Sequence, residues 1–129
     1  MFLAVKNDTG AVQPWEYLVA AAGNYKAGQL LTVDGGLLKA VDAASATTPP
    51  YLCMADATVE AEEVIPVVRV TGDTIFETQL SAAAEGAKVG TKLQVSAGGL
   101  LADAAAEGTF EIVTLDGTAE GDTVRGRFV

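Results

Sequence analysis

The chain has 129 residues, enough for one domain with a hydrophobic core and too few for two independent ones. Lys and Arg number 8 against 17 Asp and Glu, a formal net charge of −9 that a phosphate backbone repels, so no nucleic-acid partner is expected. Histidine is absent, which removes imidazole bases, His-activated nucleophiles and His metal sites, so no cofactor, no metal and no enzymatic activity are expected.

Residues 1–20 are assigned to an N-terminal arm or first strand, and 21–129 to a single β domain. Phe2-Leu3-Ala4-Val5 is apolar and gives way to polar Asn7-Asp8-Thr9-Gly10. It is either an edge strand or an arm that docks on another chain, and both readings stay open at this point. The start also lacks the basic leader and long apolar stretch of a secretory signal, and no run reaches the length of a membrane span. The expectation is a protein made and kept in the cytoplasm, or in a particle assembled there, with no membrane partner.

Pro14 to Val19 holds the only tryptophan. Trp15, Tyr17 and Val19 share a face if the segment is extended, and are expected to close one end of a core poor in aromatics. The alternative is a sugar-stacking or protein-binding face, since Trp and Tyr are the residues that interfaces use as anchors.

The following stretch, KAGQLLTVDGGLL at Lys26 to Leu38, returns as KVGTKLQVSAGGLL at Lys88 to Leu101. Each copy has a Lys-x-Gly entry, an apolar alternating run, a Gly-Gly reversal and a Leu-Leu return, which is a hairpin signal. The likeness goes on into a closing strand, Val64 to Val70 in one half and Thr123 to Val129 in the other. Pseudo-repeats of about 24–70 and 86–129 follow. Two imperfect copies are too few for a solenoid and suit the halves of one barrel or sandwich. Between them, the AASATTPP loop at Ala43 to Pro50 is expected to cross from one sheet to the other. Cys53 is assigned to a buried strand, Glu60 to Glu63 to a solvated acidic turn, and Pro66 to an edge or bulge. Ile75 to Thr78 alternates as a strand, and Ser81 to Glu85 is the one segment with helix propensity. The fold class is therefore all-β: a small β-barrel or β-sandwich built from two pseudo-repeated hairpin units, with at most one short helix. Its core is expected to be thin and made of Val, Leu and Ile.

The glycine pairs form neither a dinucleotide fingerprint nor a phosphate loop. What remains is a style of sequence: Lys-Ala-Gly before an apolar strand, Gly-Gly-Leu-Leu, a Pro-rich crossing, Val64-Ile-Pro-Val-Val-Arg-Val70, a late Gly-Asp-Thr-Val-Arg, and the opening Pro14-Trp15-Glu16-Tyr17-Leu18. It resembles the head decoration, or cement, proteins of tailed bacteriophages, though without the Cys and Trp framework of an immunoglobulin-like variant. The resemblance implies a compact β domain on the outside of the virion shell, bound to the major capsid protein, often as a homotrimer, and made in the cytoplasm of a host bacterium. Phe2, Leu3, Val5, Trp15 and Tyr17 are the residues expected to supply the protein interface. A carbohydrate-binding or host-adhesion module, with Trp15 and Tyr17 as stacking residues, is the competing expectation, and a carboxylate enzyme a more distant one.

Overall fold

The computed structural model describes residues 1–104 and 107–129, so the second pseudo-repeat spans two residues outside the description. The described residues are all-β, with no helix. In chain order the strands are β1 (Leu3–Asn7), β2 (Glu16–Ala20), β3 (Gly23–Tyr25), β4 (Leu30–Asp34), β5 (Leu37–Ala40), β6 (Tyr51–Cys53), β7 (Ala57–Val59), β8 (Glu63–Arg69), β9 (Thr74–Gln79), β10 (Lys92–Val95), β11 (Ala102–Asp103), β12 (Phe110–Leu115) and β13 (Thr123–Phe128).

The repeated Lys-x-Gly entries fold into the same turn. Gln29 N–H donates to Lys26 O and Thr91 N–H to Lys88 O, while the side-chain oxygens of Gln29 and Thr91 accept the Lys26 and Lys88 N–H groups. Gly28 and Gly90, at φ 83° and 92°, supply the left-handed residue such a turn needs at its third position. Each glycine then donates to the matching strand, Gly28 to Cys53 O and Gly90 to Ile112 O, both at 2.9 Å.

From these turns the two halves build the same strand order. The first is a closed barrel, β2-β5-β4-β6-β8; the second is a sheet, β1-β9-β13-β12-β10-β11. Set side by side, β5-β4-β6-β8-β2 corresponds to β11-β10-β12-β13-β9, with β1 added beyond β9. Both halves also close alike. Ala20 bridges Leu38 in parallel and Leu80 bridges Ala102 in parallel, with Ala21 N–H to Leu38 O at 3.0 Å and Ser81 N–H to Ala102 O at 2.8 Å.

The first barrel fills its interior with Ala20, Tyr25, Leu31, Leu38, Cys53, Val59, Ile65 and Val67. Its neighbouring positions Leu30, Leu52 and Val68 form a cross-strand row and join the core of the second half instead. These strands are thus apolar on both faces. The equivalent row of the second half is Lys92, Glu111 and Arg127, a run of alternating charge.

Four departures from the sequence reading have local causes. The second core is aromatic: all four phenylalanines, Phe2, Phe76, Phe110 and Phe128, gather there, with ring centroids 5.1 to 6.2 Å apart in edge-on or tilted pairs. Ser81 to Glu85 forms no helix: so short a helix is marginal by itself, and the segment is tied to the rest of the fold by Ser81 N–H to Ala102 O and Ala84 N–H to Thr118 O. The 43–50 loop does not change sheets; it joins β5 to β6 and leans on the other half through a Ser45–Val95 bridge and a Thr48–Thr109 hydroxyl bond. Pro66 lies at neither an edge nor a bulge, since β8 is paired on both sides. Its oxygen accepts Met54 N–H just past the end of β6, so its missing donor faces a place where that strand has ended.

Candidate functional site

The N-terminal segment resolves as an edge strand, not a free arm. β1 pairs antiparallel with β9 through Leu3↔Glu77, Ala4↔Phe76, Lys6↔Ile75 and Asn7↔Thr74, with a bulge between Ala4 and Lys6. Its beginning is held by Phe2 N–H to Gly28 O at 2.8 Å. Its end is held by Asp8 N–H to Asp73 O at 2.8 Å, Asn7 Nδ2 to Thr74 Oγ1 at 3.1 Å and an Arg127–Asp8 ion pair at 2.7 Å. The chain then turns at Gly10 and runs back, with Gln13 Nε2 donating to Thr71 Oγ1 at 3.3 Å.

Between β1, this returning segment and the wall of the first barrel lies an open cleft of about 510 Å³. Residues 1–7 form one side, Ala11, Val12, Gln13 and Trp15 another, and Leu52, Met54 and Val68 part of the floor. Of the eleven large hydrophobic residues left exposed among the described residues, five line this cleft: Met1, Leu3, Val5, Val12 and Trp15. Scattered single exposures are ordinary, whereas convergence of five on one concavity makes it the candidate binding surface of this fold.

The cleft also stands apart electrically. No Asp or Glu lines it, although the chain carries 17, and its side-chain charges are Lys6 and Arg69. Arg69 is already engaged: its guanidinium lies 5.1 Å from the Tyr51 ring centroid, donates to the Tyr51 hydroxyl at 3.0 Å and sits 3.6 Å from Glu16 Oε1. Lys6 takes part in none of the ion pairs found among the described residues.

The five residues expected at an interface divide into three groups. Leu3, Val5 and Trp15 line the cleft and are 44%, 48% and 51% exposed. Phe2 is fully buried against Phe110 and Phe128, so it is a core residue and is removed from the contact set. Tyr17 does not line the cleft; it sits on β2 opposite Pro66, beside the exposed pair Val19–Val64. Trp15, Tyr17 and Val19 thus face outward and do not close a core, because the second half supplies its own aromatics. Lys6, Val12 and Met54 were missed as cleft residues, and the one signal in the sequence was an isolated Val12 within a polar run.

A smaller hollow of about 260 Å³ lies beside Tyr25, Lys39 and Asp42. The Tyr25 hydroxyl donates to Ala21 O at 2.6 Å and also approaches Leu38 O at 3.2 Å, and burial holds its pKa above the ordinary value. Cys53 is buried, donates its thiol to Ala55 O, and is likewise pushed up by burial. Glu60, Glu62 and Glu63 are exposed, and among the described residues no three His, Cys, Asp or Glu stand together as metal ligands. No protein-family model, no curated protein and no solved structure matches the chain.

Proposed function

We propose that this chain is a structural virion protein that binds the outer surface of an assembled phage capsid and stabilises it by bridging neighbouring subunits. The observation that carries the reading is the convergence of five exposed hydrophobic residues on one acid-free cleft in an otherwise acidic protein. Bridging needs two contact faces. The cleft is one, and the outward patch of Tyr17, Val19, Val64 and Pro66 on β2 and β8 is a second. A ligand that binds the assembled shell and not its dissociated subunits stabilises the shell by about 2.7 kcal/mol per site at a hundredfold excess over Kd, and contact with two neighbours adds avidity. In this reading the major capsid protein is the partner, the protein assembles as a homotrimer, and it is made in the bacterial cytoplasm before it reaches the shell.

Co-sedimentation with expanded shells of the phage that encodes the chain tests the proposal. Wild-type protein is expected to pellet with shells and raise their disassembly temperature, and not to bind dissociated capsid subunits. Trp15→Ala is expected to weaken binding by about thirtyfold, the equivalent of a 2 kcal/mol anchor. Absence of shell binding by the wild type rejects the reading. The glycan-binding alternative has less support, because Trp15 lines the cleft and Tyr17 does not; a sugar-induced change in Trp15 emission would revive it.

A further inference from the structure

Among the described residues β1 is paired on one side only, with β9 against one edge and no strand against the other. The cleft touches every residue from Met1 to Asn7. It also meets Thr74 and Phe76 of β9, so it follows the length of β1 and reaches over the face of the β1–β9 pair as well. Natural proteins blunt such edges with charge, proline or a covering loop. Here the edge carries one bulge between Ala4 and Lys6, the single charge of Lys6, half-exposed Leu3 and Val5, and a facing wall that presents Val12 and Trp15. An open edge beside an apolar trough is the geometry that receives an extended chain as an added strand.

We infer that the cleft takes one extended segment of a second polypeptide, mainly apolar and carrying one carboxylate, which pairs its backbone with the free edge of β1. The carboxylate follows from the charge of the walls: no acid lines the cleft, Arg69 is already engaged by Glu16, and Lys6 has no ion-pair partner among the described residues. A single acid suits the site better than an acidic run. Beyond a Debye length of about 8 Å the ligand is screened from the rest of the molecule, but each further acid near the surface meets a chain of net charge −9. A second copy of this chain is a poorer occupant. Among the described residues the strands at the other sheet ends, β3, β7 and β11, are three residues long or fewer, so the comparable end strand is β1 itself. Pairing β1 with β1 sets two Lys6 side chains into one strand pair with no carboxylate from either cleft. The inference rests on the cleft being a protein-binding surface and not on the identity of the shell.

Trp15 is the sole tryptophan and lines the cleft, so its emission reports occupancy directly. The probe is the synthetic peptide acetyl-Thr-Val-Glu-Val-Thr-Val-amide, titrated to about 1 mM. Binding is expected to shift Trp15 emission to the blue and to slow amide exchange in Leu3 to Asn7. A Gln-for-Glu peptide is expected to bind several-fold more weakly. A peptide with proline in place of its central valine, which cannot donate to the edge, is expected to bind about tenfold more weakly. In Lys6→Glu protein, a surface change that leaves the core intact, preference is expected to pass from the Glu peptide to its Lys counterpart. Absence of binding, unchanged β1 exchange, an indifferent response to proline, or dimerisation through β1 without peptide overturns the inference. Strand addition in a protein that fails to bind shells leaves this inference standing and rejects the proposed function; shell binding with no strand addition does the reverse.

Discussion

Gly99 and Gly35 look alike in the sequence, each a member of a Gly-Gly pair, but their surroundings separate them. Gly35 and Gly36 form the two-residue loop between β4 and β5 and have open space where a Cβ would go. Gly99 is docked on the other half: its oxygen accepts Leu30 N–H at 2.7 Å, and an added Cβ would lie 2.2 Å from Leu30 O. Gly99→Ala is therefore expected to destabilise the fold by about 3 kcal/mol, against about 1 kcal/mol for Gly35→Ala, as measured by urea unfolding. The pair was legible in the sequence as a turn, but the contact was not, because Leu30 is distant along the chain. Tyr25 gives a second test at this scale. Burial raises its pKa, and its one proton is shared between two carbonyl oxygens that a phenolate would repel. A raised value in the folded state means that this stability is intact below about pH 10 and is lost as pH climbs through the folded value. Cys53, raised by the same cause, acts in the same direction from about pH 8.5 upward. Unfolding midpoints measured from about pH 8 to about pH 11 are expected to fall in the wild type and to fall less steeply in Tyr25→Phe; identical slopes would remove Tyr25 from the account.

β1 decides a choice that the sequence alone left open. Its apolar letters gave a choice between a strand and a docking arm. Pairing with β9 makes it a strand, while Leu3 and Val5 remain outside and Phe2 turns in. Alternation told neighbours apart but not which of them faced the core, because that depends on the aromatic cluster formed by residues far downstream. Phe2→Ala is expected to cost about 3–5 kcal/mol, and Val5→Thr less than about 0.5 kcal/mol, in thermal unfolding. It follows that trimming the N-terminus is a poor test of surface contact, because truncation removes a core side chain along with the exposed ones. Segment 81–85 shows the opposite limit. Its alanines favour a helix locally, but a segment this short cannot nucleate one for a preference of a few tenths of a kcal/mol per residue, and it is tied to β11 and Thr118 instead.

Across the whole molecule, the doubled hairpin was visible from Lys26 and Lys88 onward because turn chemistry is local. The mutual support of the halves was not visible, because it depends on which side of each strand meets which neighbour. Leu30, Leu52 and Val68 line up on the outside of the first barrel and complete the core of the second half. The corresponding places in the second half hold Lys92, Glu111 and Arg127, with Arg127 also tied to Asp8. Replacing these three with Leu, Leu and Val is expected to give concentration-dependent association in sedimentation velocity that the wild type is expected to lack through this face. A module that offered the greasy row at both levels would present every copy with a seat for the next, and such head-to-tail contacts that do not close make fibres. The charged row thus acts as a terminus: the second half caps the barrel and offers no apolar row of its own to a third.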